Sequence, residues 1–184
     1  MGGTMEKVFG SKMTAIILVF MLLVGLTGCA DKTAPGGAMS SFSAQIIGSD
    51  ETFTEKDLAD YDLTVVNVWT TWCGYCIYEM PELQALYENL PDNINFISIC
   101  ADADVEYETA KEILKEIGCT FTTIVPGDDL RVSLLMQVQG YPTTFFIDSE
   151  GNTVGKPHVG LPTVNGNIAG AYMAIVEERL AMLK

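Results

Sequence analysis

Apolar residues recur along this chain in two rhythms. Residues 63–69 (LTVVNVW), 93–100 (NINFISIC) and 120–125 (TFTTIV) are short runs rich in β-branched and apolar side chains. Such runs are the pattern of strands buried on both faces of a sheet. Between them the spacing lengthens to that of a helix. Over 76–90 it picks out Met80, Leu83, Leu86, Tyr87 and Leu90, with Pro81 inside the pattern predicting a kink. Over 105–117 it picks out Ile113, Leu114 and Ile117, with Gly118 as the stop. Near the C-terminus Ile168, Ala171, Tyr172, Ile175, Val176 and Leu180 form the apolar face of a last helix. Weaker signals fill the gaps. Residues 41–48 alternate as a first strand, and Thr54 and Asp57 form a capping box ahead of Leu58. Asp128 or Asp129 can cap a short helix through Met136, and 143–148 and 152–160 flank the turn DSEG as a hairpin. Strands alternating with helices and then closed by a hairpin predict an α/β fold with a mixed central sheet flanked by helices.

The first 29 positions follow neither rhythm. Lys7 and Lys12 precede an uncharged apolar stretch, 14–26, which falls short of the ~20 residues that span a bilayer. Its length suits the core of a secretory signal. It ends in LTGC, 26–29, which resembles the lipobox of bacterial lipoproteins. The resemblance implies cleavage before Cys29 and a lipid on its sulfur; the alternative is an ordinary signal with an incidental cysteine. The expected organisation is a lipoprotein signal peptide at 1–28, a lipidated Cys29 with a flexible Gly/Ala/Ser-rich tether to residue 41, and one domain over 42–184. The chain would then sit at the extracytoplasmic face of the cell membrane. Its formal net charge of −14 argues against nucleic acid, whose phosphates demand a basic surface, and against adhesion to anionic lipid. The anchoring would fall to the lipid, and the acidity itself serves solubility.

With Cys29 set aside, Cys73, Cys76, Cys100 and Cys119 remain, and the sequence alone does not fix their pairing. Cys73 and Cys76 lie where the strand pattern gives way to the helix pattern. As zinc ligands they would supply two of the four a structural site needs, and Cys100, Cys119 and His158 form no second pair. As a structural staple they close too small a loop to remove much chain entropy. As a redox pair they are well placed. At a helix start, free N–H groups and the helix dipole favour a thiolate on Cys73, which can attack a disulfide, and Cys76, one turn on, can release the product.

The segment NVWTTWCGYC, 67–76, resembles the active site of thioredoxin-like proteins. The following EMPEL, with Glu79, Pro81, Glu82 and Leu83, is similar to the membrane-anchored TlpA/ResA-type branch. GYPTTFFIDSEG, 140–151, resembles the second signature of that family, a cis-proline leading into a strand and hairpin. The resemblance covers roughly 42 to the C-terminus. It implies a thioredoxin-like fold with an extra α-β insertion, near 105–125, between the Cys-x-x-Cys helix and the cis-Pro strand. It implies Cys73 as nucleophile and Cys76 as resolving thiol. Pro142 would be the cis-proline beside them, Tyr141 would offer backbone to an extended substrate, and Trp72 would shield the sulfurs or simply pack at the surface. No cofactor is implied beyond the Cys73–Cys76 disulfide itself, and no metal. The implied activity is reduction of disulfides in exported proteins, with apocytochrome c or a methionine sulfoxide reductase as clients and a membrane thiol transporter of the CcdA/DsbD kind as donor. The rivals are a disulfide-forming oxidant on the same fold, a copper metallochaperone of the Sco type, and a thioredoxin-fold peroxidase. The copper proteins space their cysteines by three, and the peroxidase lacks its Pro-x-x-x-Thr run.

Two features depart from plain thioredoxins. Asn67 stands where a buried acid would relay the resolving thiol's proton, so another group or water must accept it. Gly74 and Tyr75 replace Gly-Pro between the cysteines. Cys100 is expected at the active-site end of its strand and Cys119 at the opposite end, too far apart for a bridge, both as buried small hydrophobes. His158 is expected in a loop or strand surface role.

Overall fold

The computed structural model describes residues 37–163 and 166–184. Their frame is one seven-stranded mixed sheet. Its strands are β1 (Ser43–Ile46), β2 (Thr52–Thr54), β3 (Leu63–Trp69), β4 (Ile94–Cys100), β5 (Thr122–Val125), β6 (Thr143–Asp148) and β7 (His158–Val159). Across the sheet they run β2-β1-β5-β4-β3-β6-β7. The three apolar runs are the parallel centre: β3 pairs with β4 and β4 with β5, while β6 and β1 join antiparallel on either side. All seven residues of β3 are buried, as a strand covered on both faces requires.

Alternation along β3 divides the core. Leu63, Val65 and Trp69 face one layer, with helices α1 (Gly74–Glu88), α2 (Tyr107–Ile117) and α4 (Ile168–Ala181). Val66 and Val68 face the other, with Leu130 of α3 (Asp128–Ser133) and the N-terminal residues Met39, Phe42 and Phe53. Asn67 has the parity of Val65 and Trp69 and so lies under α1 and α4. The family's expected insertion is α2 and β5, which sit between α1 and β6 in the chain.

Several local readings are refined. The Thr54–Asp57 capping box forms, with Asp57 Oδ2 accepting from Thr54 N–H at 2.7 Å, but it starts a 3₁₀ turn over Glu55–Leu58. Gly118 closes α2 at φ 83°. The expected helix through Met136 stops at Ser133 and resumes as a 3₁₀ turn, Leu135–Gln137. Its N-cap is Gly127, because Asp129 is engaged by the Leu130 and Ser43 N–H groups. Pro81 lies inside α1 and does not divide it. Packing also begins ahead of residue 42. Met39 is fully buried and its N–H donates to Gly151 O at 2.9 Å. A Cβ on Gly151, which has φ +82°, would lie 2.5 Å from the Met39 carbonyl. Met39 is a lone apolar residue among small ones, so no period announces it. Cys29 and the expected signal peptide lie outside the described residues. Among the described residues no helix is long and apolar enough to cross a membrane.

Candidate active site

The site grows from the C-terminal end of β3. Trp69 is anchored there, its indole N–H donating to Ser98 Oγ at 3.2 Å. The chain then turns through Thr70, Thr71 and Trp72 into α1. Asp102, just past the end of β4, holds this turn: it accepts from the Thr71 N–H at 3.1 Å and from the Thr71 hydroxyl at 2.7 Å. Cys73 is the N-cap of α1, with φ −86° and ψ 96°. Its sulfur is bonded to that of Cys76 and accepts from the Cys76 N–H at 3.2 Å. The first turn of α1 carries no acidic side chain, so nothing in that turn offsets the positive end of the helix dipole at Cys73. Cys73 keeps 6% of its surface and Cys76 only 1%. Cys73 is thus the more accessible of the two sulfur-bearing residues.

The Tyr141–Pro142 peptide bond is cis, as expected. Pro142 O accepts from the Gly160 N–H at 2.8 Å, which ties the cis loop to β7. Trp72, 72% exposed, meets Tyr141 edge-on with ring centres 5.7 Å apart. Tyr75, Tyr141, Pro142, Gly160 and Leu161 line a cleft of about 290 Å³. A second depression of about 510 Å³ is bordered by Gly74, Tyr75 and Tyr78. Tyr75, which stands between the cysteines, and Tyr78, which the sequence reading does not single out, are both strongly exposed; two aromatics three apart in the first turns of α1 are the sequence signal for this apolar surface. A further cavity, of about 540 Å³ beside Asp62 and Asp148, lies at the other end of the sheet.

Beneath the sulfurs lies the group that sequence reasoning left open. Glu79 is on α1, one turn after Cys76, and is fully buried. Residues so spaced share a helix face with Cβ atoms about 5–6 Å apart. Its Oε1 accepts from Asn67 Nδ2 at 2.9 Å and its Oε2 accepts from the Tyr172 hydroxyl at 3.0 Å. Thr144 completes a ring, 3.1 Å from both Asn67 Nδ2 and the Tyr172 oxygen. Burial pushes the Glu79 carboxyl up to about 7, against the opposing pull of the hydrogen bonds from Asn67 and Tyr172. The amide at 67 therefore does not carry the proton; it binds the acid that can. Such a carboxyl exchanges its proton near neutral pH, as a general base for a thiol must.

The other expected residues fall as follows. Cys100 is buried at the active-site end of β4, opposite Trp69. Burial and the neighbouring Asp102 push its thiol far up, and the thiol donates to Asp102 Oδ1 at 3.2 Å. Cys119 is half-buried ahead of β5, and burial pushes its thiol up to about 11. Both are free thiols. His158 in β7 stacks edge-on against Tyr172, at 6.3 Å. Arg131 is bound to Asp104 and Ala101 O, and Arg179 to Glu178 and Lys156 O. Among the described residues no cluster of three or more His, Cys, Asp and Glu is arranged to hold a metal.

Residues 35–155 match the AhpC/TSA family. The thiol:disulfide interchange protein HelX of Rhodobacter capsulatus is 29% identical over 130 residues, which span 71% of this chain and 68% of that protein. The thiol-disulfide oxidoreductase ResA of Geobacillus thermodenitrificans is 31% identical over 147 residues, spanning 75% of this chain and 80% of that one. Among solved structures, a thiol:disulfide interchange protein of the thioredoxin family from Chlorobium tepidum has the same fold, with TM-score 0.64 and 21% identity over 79% of this chain and 97% of that one.

Proposed function

The chain belongs to the AhpC/TSA family and is a thiol–disulfide oxidoreductase of thioredoxin-like fold; from that premise we propose that it is an exported reductant in which Cys73 attacks and Cys76 resolves. The observation that carries this reading is the Cys73–Cys76 disulfide at the N-terminus of α1, with an ionisable acid buried one turn beyond.

In the dithiol form the helix dipole and the Cys76 N–H, which meets the Cys73 sulfur in the disulfide form, would favour the Cys73 thiolate. That thiolate attacks a client's disulfide, forming a Cys73–client bond and expelling one client thiolate, which takes a proton from water. The Cys76 thiol passes its proton to the Glu79 carboxylate. The Cys76 thiolate then attacks the Cys73 sulfur, the Cys73–client bond breaks, and the second client thiolate leaves to be protonated. The client has gained two electrons and two protons, and the dithiol has become the Cys73–Cys76 disulfide. A membrane thiol donor of the CcdA/DsbD kind would return the electrons.

An extended client strand would lie along the Tyr141–Pro142 backbone in the cleft that Tyr75 and Leu161 line, with Trp72 over its disulfide. The clients are exported disulfide-bearing proteins. Cys29, following the signal-like stretch, would carry the lipid that keeps the domain at the outer face of the cell membrane. Equilibrating the Cys73/Cys76 pair against glutathione tests the direction of flow. A reductant has a potential of about −200 mV or lower; a value near −120 mV, the range of strong oxidants, would reverse the proposal.

A further inference from the structure

Tyr172 reaches Glu79 from the far end of the chain. It sits in α4, which packs against α1 on one face of the sheet, and it is fully buried. Its ring fills a place in the core that a phenylalanine would fill as well. Its hydroxyl needs a separate reason, because a buried hydroxyl without partners is costly. That hydroxyl lies 3.0 Å from Glu79 Oε2 and 3.1 Å from Thr144 Oγ1.

The hydrogens set the direction of each bond in the ring. Asn67 Nδ2 has two, one for Glu79 Oε1 and one for Thr144 Oγ1. When Glu79 is ionised, the Tyr172 O–H donates to Oε2 and the Thr144 O–H donates to the Tyr172 oxygen. Every donor then has an acceptor, and both carboxylate oxygens are bound. When Glu79 is protonated on Oε2, that hydrogen needs an acceptor. The Tyr172 oxygen can serve, with the Tyr172 hydrogen turned to Thr144 Oγ1. Asn67 Nδ2 can only donate, so of the two groups bound to the carboxylate only Tyr172 can reverse.

We propose that Tyr172 is a positioning residue for Glu79: its hydroxyl donates to the carboxylate and accepts from the carboxyl, so that the acid takes up and returns the Cys76 proton with a partner in both states. This rests on the reading of Glu79 as the acceptor of that proton. The other ionisable groups facing the ring do not supply this function. From α1 there are only the Cys73 and Cys76 sulfurs. From β7 there is His158, which burial and then Arg179 hold below its ordinary range, and which meets the Tyr172 ring edge-on rather than its hydroxyl. Arg179 lies farther out on α4, over the Phe146 ring. From β3 and β6 there are the neutral Asn67 and Thr144. The Tyr172 phenol is itself pushed far up by burial and by Glu79, so it keeps its hydrogen throughout.

The test is the pH profile of the resolving step. A disulfide peptide with a fluorophore and quencher across its bond is mixed with the dithiol protein in a stopped flow, which separates Cys73 attack from Cys76 release. In parallel, Glu79 is titrated in the dithiol protein by carboxyl ¹³C resonance. Tyr172→Phe removes a hydrogen bond to a charged acceptor, so the Glu79 midpoint should rise by about one to two pH units. Release near neutral pH should slow by roughly tenfold or more and return to the unsubstituted rate at high pH. The attack step should not change. Replacing Tyr172 with 3-fluorotyrosine keeps the shape and strengthens the donor, so it should move the midpoint the opposite way. Slowing of release by the same factor at every pH, or both replacements shifting the midpoint in one direction, would overturn the proposal and leave Tyr172 a packing residue. If Tyr172→Phe does not fold, the fluorotyrosine protein decides alone, and an unmoved midpoint overturns it. Glu79→Gln separates the two levels. If it leaves the release profile intact, the Glu79 reading fails and this proposal with it. If it abolishes the profile while the Tyr172 replacements leave the midpoint where it was, only the assignment of Tyr172 fails.

Discussion

Glu79 combines full burial with a proton affinity near neutrality, and this has a consequence for stability as well as for chemistry. Its folded-state value, about 7, lies above the unfolded value of 4.5. Between those values the folded chain holds a proton that the unfolded chain has lost, so stability falls as pH rises through this window, by roughly 3 kcal/mol in all. Glu79→Gln keeps the shape and removes the titration. Urea unfolding of the disulfide form should find the variant more stable than the parent at pH 8, with the gap closing toward pH 4. A gap that does not vary with pH would count against the raised proton affinity. Trp72 is the opposite case, a large exposed ring touching Tyr141. Trp72→Ala should change stability by less than about 0.5 kcal/mol, as at most surface sites. It should lower kcat/KM for a folded disulfide protein several-fold while leaving a small aromatic disulfide reagent almost unaffected. Equal losses for both substrates would mean that Trp72 acts on the sulfurs rather than on the client. At this scale the sequence was readable wherever chemistry left a mark. Cys73 and Cys76 are such marks, and so is the amide at 67. Glu79 was readable in principle, as an acid inside the apolar stripe of Cys76, Met80, Leu83 and Leu86. Tyr172 was not, since a buried aromatic at helical spacing looks like core whether or not its hydroxyl is used.

The elements divide in the same way between local signals and distant ones. The strands β3 and β4 and the helices α1, α2 and α4 follow from periodicity, because each buries a continuous face. β2 is three residues long, and its only local signal is the capping box that begins at its last residue, too little to predict a strand. The contact that orients the site's entry loop is also invisible locally. Asp102 binds Thr71 across the sheet end, and nothing in either neighbourhood announces it. Removing it leaves the Thr71 N–H without this acceptor and the loop before Cys73 without its tie to β4. Asp102→Ala should therefore raise amide exchange at Thr71, Trp72 and Cys73 and cost about 1–3 kcal/mol. Exchange there equal to the parent's would show that the loop is held by other means. The same carboxylate accepts from Cys100, so this variant also asks whether that thiol stays unreactive once its partner is gone.

At the scale of the molecule, the fold places three things at one end of the sheet: the disulfide at the start of α1, the cis-Pro142 loop before β6, and a buried carboxyl whose hydrogen-bond ring is shared by α1, β3, β6 and α4. The family signatures in the sequence implied the first two, because each is a short contiguous run. The third is assembled from four positions far apart in the chain, and only the folded structure collects them. The anchor is a separate proposal on Cys29, whose surroundings lie outside the described residues. In the intact host, Cys29→Ala should move the protein from the detergent phase to the aqueous phase or leave it uncleaved; identical partitioning and mature mass would refute the lipid. The central claim is the division of labour between Cys73 and Cys76, and the most direct measurement is the mass of the products formed by single-cysteine variants with a disulfide client. Cys76→Ser should hold the client covalently on Cys73 and stop after one event, because the second thiolate that outcompetes thiols from solution is gone. Cys73→Ser should trap nothing. Sustained turnover by Cys76→Ser would contradict the account. If Cys100→Ser added to it then stopped turnover, Cys100 would be the resolving thiol; if turnover continued even so, the dithiol mechanism itself would fall.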